Sequence, residues 1–148
     1  MLENKRGCIS IPNFIDFPYI EEKSDIFGVI KRPRMALEIF SKLKREWIVI
    51  DEVLVDTGAD LTVLPRFIGE MLIEDITSGK YIEIKGVTPG TVLIAFVHTM
   101  QVRIDKKELK LPVALADSNA VPSIFGRVDG LDKFDVSFLK GKKTKFVF

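Results

Sequence analysis

The chain has 148 residues, 47% of them hydrophobic, with 22 basic and 21 acidic side chains and a net charge of +1. That length suits one compact domain with a true core. The balanced charge, without a basic block, leaves nucleic-acid binding no electrostatic footing. No apolar run is long enough for a membrane helix. Met1 to Arg6 is polar with no leader-like apolar run after it, and Cys8 is the single cysteine. These features lead to the expectation of a reducing, cytoplasmic setting without an internal disulfide.

In chain order, residues 1–25 read as an N-terminal arm and 26–148 as the domain proper. Phe14, Ile15, Phe17, Tyr19 and Ile20 are apolar, but Pro12 and Pro18 interrupt them. An irregular arm with one or two short strands is expected, followed by a polar link from Glu21 to Asp25. Ile26 to Ile30 reads as a short strand ended by Arg32-Pro33. Met35, Leu37 and Ile39 alternate with Ala36 and Glu38, the period of a strand. Ser41 to Arg45 is a charged turn. Trp47 to Val55 is β-branched and apolar except at Asp51-Glu52, which predicts a buried strand in two pieces joined by a bulge or bend.

The apolar run ends on Asp56-Thr57-Gly58-Ala59-Asp60 and resumes at Leu61 to Leu64. Pro65 suits a helix start, so one or two helical turns should follow. Tyr81, Ile82 and Ile84 predict a strand. Gly86-Val87-Thr88-Pro89-Gly90 predicts a hairpin tip, and Thr91 onward the returning strand. That strand continues to Ile104, turns at 105–107, and returns over Leu109 to Ala116. Val121 to Arg127 is a second apolar stretch, ending Ile124-Phe125-Gly126-Arg127. A short helix near the C-terminus is expected at 129–134, then a final hairpin about Gly141. Short strands at regular spacing make the expected class all-β.

Common catalytic arrangements fare poorly. His98 lies alone on an apolar strand and reads as structural or surface. No zinc-ligand cluster, phosphate-cradling loop or Gly-x-Ser-x-Gly elbow is present. Carboxylate chemistry remains. Asp56 sits where apolar runs on either side would bury it, and a buried carboxylate needs a partner, a hydrogen-bond cradle or a proton. From the tripeptide alone, an ordinary Asp-Thr-Gly turn competes with a functional reading. One aspartate is poorly equipped to activate water and also protonate a leaving group. Two that share a proton can do both, as in the known aspartic-protease dyad. A two-fold dimer would supply the second.

Leu54-Val55-Asp56-Thr57-Gly58-Ala59-Asp60 with Thr62-Val63-Leu64 resembles the active-site loop of retropepsin-like aspartic proteases, the single-domain relatives of retroviral protease. Arg32-Pro33 before a strand, a hairpin with Gly86 and Gly90 at its tip, and Ile124-Phe125-Gly126-Arg127 resemble the family's opening, flap and second signature. Order and rough spacing agree over residues 32–139.

The resemblance implies an acid-protease barrel and a homodimeric aspartic endopeptidase without metal or organic cofactor. Its substrate would be a polypeptide held extended. It implies that Asp56 is catalytic, that Thr57 locks two loops across the dimer, and that Gly58 lets substrate approach. Ala59, Asp60, the flap residues Gly86, Val87, Thr88, Pro89 and Gly90, and Ile124 would contact substrate. Gly126 and Arg127 would brace the loop within a subunit, and Arg32 would reach Asp60 of the second copy. Thr88-Pro89 departs from the glycine-rich viral flap and should stiffen it. Val128 stands where many members carry Asp or Asn. The principal alternative is the same fold used as a non-catalytic peptide-binding or dimerisation module. A further one is an unrelated β-barrel in which Asp-Thr-Gly is merely a turn.

Overall fold

A computed structural model describes residues 13–148. Cys8 and the first part of the expected N-terminal arm lie outside the described residues.

Seven strands form the main sheet, in the order β4-β5-β10-β6-β9-β8-β7. They are β4 (Arg34–Ser41), β5 (Glu46–Val55), β6 (Thr62–Leu64), β7 (Lys80–Lys85), β8 (Val92–Ile104), β9 (Lys107–Ala116) and β10 (Ile124–Phe125). A further pairing of β4 with β8, at Glu38↔Arg103 and Ile39↔Val102, closes six of them into a barrel. Closure removes the unpaired edges that an open sheet would expose. β7 remains outside the ring as the free arm of the β7–β8 hairpin.

The sequence pattern explains these strands. In β4 every second residue, Met35, Leu37, Ile39 and Ser41, is buried. β5 meets β4 with a register shift: Met35 pairs with Val53 and Leu37 with Ile50, so β5 carries an extra residue. Glu52 takes up that slack at φ 57°, a left-handed conformation uncommon outside glycine. The expected two-piece strand is therefore one strand with a bulge at Asp51-Glu52. The bulge lies four residues before Asp56 and turns the last apolar residues, Val53 and Val55, into the core.

A second sheet has the order β1-β12-β11, with β1 (Phe14–Pro18), β11 (Asp135–Leu139) and β12 (Lys143–Val147). The final hairpin turns at Lys140 (φ 53°) and Gly141 (φ 69°), as the sequence predicts. Phe146 is fully buried. Phe17 and Phe134 meet its ring edge-on at 5.7 and 5.4 Å, a favoured aromatic geometry. With Ile15, Phe17 and Val136, which pack against the same core, it ties the terminal sheet to the barrel.

Three local expectations are modified. The polar link at 21–25 is largely a strand, β2 (Ile20–Ser24), paired with β3 (Gly28–Arg32). Glu21 and Lys23 point to solvent, so the segment has too few apolar residues to betray its period. The strand expected from Ile26 starts at Gly28, because Asp25 to Phe27 form the connecting turn. The helix expected at 129–134 is a single 3-10 turn, Leu131–Lys133. The Leu131 and Asp132 amides fold back onto the Gly126 and Arg127 carbonyls, and β11 follows one residue after the turn. The α-helix among the described residues is α1 (Arg66–Leu72), which follows Pro65 as expected. Among the described residues, no helix is long and apolar enough to cross a membrane.

Candidate active site

The end of β5 is held from both sides. The Leu54 N–H donates to the Ser123 carbonyl and the Val55 N–H to that of Pro33, both at 2.9 Å. The Asp56 N–H donates to the Phe125 carbonyl at 3.1 Å. The chain then turns. Asp56 Oδ1 accepts from the Gly58 N–H at 2.9 Å, and the Asp56 carbonyl accepts from Ala59 at 3.2 Å. A Cβ on Gly58 would sit 3.3 Å from Asp56 Oδ1. Glycine here leaves the carboxylate room and gives a neighbouring backbone close access.

Asp56 is half-buried, and Thr57 and Gly58 are exposed. Here the structure corrects the expectation of a buried acid. The apolar flanks enter the core, but the turn between them is lifted to the surface. In the single chain only Oδ1 is engaged among the described residues. Water can solvate the rest of the group.

β10 wedges between β5 and β6. Ile124 and Phe125 run parallel to Leu54 and Val55, and Ile124 also pairs antiparallel with Val63. Beyond it, the Gly126 N–H donates to the buried Thr62 hydroxyl at 3.1 Å. The Arg127 N–H donates to the Ala59 carbonyl at 2.9 Å, and the Val128 N–H to that of Asp60 at 2.8 Å. A Cβ on Gly126 would overlap the Leu61 carbonyl group, so only glycine permits this approach. The Arg127 guanidinium stands 3.7 Å from both Asp60 and Asp132. Exposed pairs at that range contribute about 0–1 kcal/mol. The brace between the two loops is therefore mainly main-chain hydrogen bonding, with the guanidinium a minor partner.

The flap hairpin forms where the sequence places it. Lys85 pairs with Val92, the Gly86 N–H donates to the Thr91 carbonyl at 3.0 Å, and Thr91 donates to Thr88 at 3.2 Å. Gly90 has φ 86°, which glycine adopts without strain. Val87, Thr88 and Pro89 are exposed, projecting from the barrel. Between flap and loop lies an open cleft of about 500 Å³, lined by Gly58, Ala59, Asp60, Leu61, Val63 and the flap strand from Ile82 to Lys85. The tip residues Gly86 to Gly90 are not in its lining. Leu61, Val63 and the flap-strand residues Ile82, Glu83, Ile84 and Lys85 are the lining residues that sequence reasoning missed. The alternation of Ile82 and Ile84 was the available signal. Ile124 packs half-buried against this same apolar group.

Arg32 stands apart from these loops. Its Nε lies 3.1 Å from Glu22 Oε1 in the same chain. His98 is structural: its Nε2 is hydrogen-bonded to the Ile76 carbonyl at 2.7 Å, and Gly79 packs against its ring.

No protein-family model matches the sequence, and a comparison with curated proteins finds no match. Solved structures do match. A retropepsin-like aspartic protease from Rickettsia conorii is similar over 95% of this chain and 97% of its own, with 20% identity and a TM-score of 0.58. EIAV protease complexed with the inhibitor HBY-793 matches over 66% of this chain and 83% of its own, with 24% identity and a TM-score of 0.45. Identities this low speak to fold alone. The near end-to-end match to the rickettsial structure, together with a barrel closed between β4 and β8, shows that this chain has the retropepsin-like fold.

Proposed function

We propose that the chain is an aspartic endopeptidase that hydrolyses peptide bonds as a homodimer, each copy supplying one Asp56. The observation that carries this reading is the Asp56 turn. Oδ1 is fixed by the Gly58 N–H, while the turn itself stands at the surface beside an open cleft.

Two such turns brought together on a two-fold axis would place like charges in contact, and one proton would then be shared between them. A water held between the carboxylates loses a proton to the ionised one as its oxygen attacks the scissile carbonyl carbon. The protonated partner donates a hydrogen bond to the carbonyl oxygen. Collapse of the tetrahedral species breaks the C–N bond, and a proton passes from the dyad to the leaving nitrogen. The reaction drawn this way uses no cofactor.

The substrate is an extended polypeptide lying between the Ala59-Asp60 loop and the flap, Gly86 to Gly90, with Ile124 contributing apolar surface. Strand-like main-chain pairing suits such a cleft. Thr57, exposed at the turn, joins the two loops, and Arg32 reaches Asp60 of the second copy. Gly126 and Arg127 hold the loop from behind. A single cysteine in the chain fits a reducing, cytoplasmic setting.

Replacing Asp56 by Asn tests the reading. Peptide cleavage should fall by roughly 10²–10⁴-fold or more, with the dimer still folded by sedimentation. Undiminished turnover would refute it. Binding of an extended peptide without turnover, equal in wild type and variant, would instead identify a non-catalytic binding module.

A further inference from the structure

We propose that Glu22, on the β2–β3 hairpin, is a positioning residue that presents Arg32 to the second copy of the chain. The proposal rests on the homodimer reading above and adds to it a residue outside the stretch that carries the family resemblance. One carboxylate serves two arginines. Glu22 accepts hydrogen bonds from the Nε and Nη2 groups of Arg34 side by side, the second at 2.9 Å, and forms an ion pair with the Nε of Arg32 at 3.1 Å. The strand register explains the second contact. Ile20 pairs with Arg32 and Glu22 with Ile30, so Glu22 and Arg32 are diagonal neighbours on one face of the hairpin.

Arg34 is the anchor. Its side chain is only 16% exposed, and its Nη1 donates to the Glu52 carbonyl at 3.2 Å, at the bulge of β5. A continuous path therefore runs from the hairpin through Glu22 and Arg34 to the strand that ends on Asp56. The hairpin has few other ties to the barrel: β2 and β3 contact chiefly each other. Main-chain hydrogen bonds hold the two ends of the hairpin, from the Tyr19 N–H to the Lys142 carbonyl and from the Val55 N–H to that of Pro33; without Glu22 the Arg32 side chain would lose the contact that orients it.

The Arg32 side chain is 42% exposed and engaged, among the described residues, only through Nε. That leaves its two Nη groups as an open fork, the geometry that grips a carboxylate with two hydrogen bonds. Glu22 holds the stem of that fork and leaves the tines for a carboxylate of the second copy. Glutamine replaces it only in part, keeping one acceptor oxygen. The amide presents a donor where the arginines already supply donors.

The experiment is a double-mutant cycle read by sedimentation equilibrium and by peptidase assay across protein concentration. Glu22→Gln and Arg32→Lys should each weaken the dimer about tenfold or more. The double variant should be little worse than either, because both remove the same contact. Activity lost by Glu22→Gln at low protein concentration should return as concentration rises, and Glu22→Asp should recover part of the affinity. Additive losses in the cycle, or an unchanged dimer in Glu22→Gln, would overturn the role of Glu22 while leaving the protease reading intact. If Glu22→Gln fails to fold, Glu22→Asp combined with Arg32→Lys completes the cycle with the same criteria. A wild-type chain fully active as a monomer would overturn the dimer reading itself, and this proposal with it.

Discussion

A methyl group at Gly126 has nowhere to go. Its Cβ would overlap the carbonyl carbon and oxygen of Leu61 and lie 2.9 Å from the Thr62 nitrogen, all main-chain atoms that no side-chain rotation can move aside. The same residue donates its N–H to the buried Thr62 hydroxyl. Substituting alanine should therefore destabilise the fold by roughly 1–3 kcal/mol, at the upper end for overpacking, since backbone must shift. Urea unfolding measures this directly. Because Arg127 and Val128 then lose their hold on Ala59 and Asp60, peptidase activity should fall by more than the unfolded fraction explains. A variant with wild-type stability would show that the close approach of β10 to β6 is not under the strain described.

At the scale of elements, the β4–β8 seam carries a distinct electrostatic pair. Glu38 accepts from Arg103 through both oxygens, at 3.1 and 2.9 Å, and the guanidinium also lies over the Trp47 ring at 4.1 Å. The hydrogen bonds from Arg103 hold the Glu38 carboxyl below its ordinary value of 4.5, against the opposing effect of burial. A carboxylate depressed in the folded state stabilises the fold above its unfolded value. It loses that contribution as pH falls through the folded value. Glu38→Gln should thus lower the urea midpoint at pH 7, with the gap to wild type narrowing as pH drops below 4.5. A gap that stays constant on acidification would exclude this linkage. Glu22 is depressed in the same direction, chiefly by its hydrogen bonds to Arg34, so the hairpin anchor should loosen over the same acidic range.

At the scale of the whole molecule, one chain offers one Asp56, half-exposed. The proposed chemistry needs two. Specific activity should therefore depend on protein concentration, falling on dilution through the range in which sedimentation shows dimer giving way to monomer. Constant specific activity across that range would defeat the shared-dyad mechanism. The terminal sheet bears on this point. β12 lies between β1 and β11 in the same chain, so the C-terminal strand already has both neighbours before any second copy arrives. Strand pairing between copies there would fall to the outer strands of that sheet.

The features legible in the sequence are those with a local period or a local turn. The Asp56-Thr57-Gly58 turn at the end of an apolar run, the bulge at Asp51-Glu52, the flap hairpin and the final hairpin about Gly141 all depend on residues a few positions apart. Local alternation and turn chemistry encode them. β2 escaped because its outward face is charged and its inward face holds Glu22 and Ser24, leaving no apolar rhythm. Closure of the barrel brings together Glu38 with Arg103, 65 positions apart, and Ile39 with Val102. The glycine requirement at Gly126 comes from Leu61, and the grip of Glu22 spans two segments across a hairpin and a proline. Steric exclusion and hydrogen bonds between distant segments leave no periodic trace in a sequence. The sequence alone thus determined which residue is the candidate acid. Only the tertiary structure decided that it stands half-exposed beside a cleft, because burial is set by what the rest of the chain packs around it.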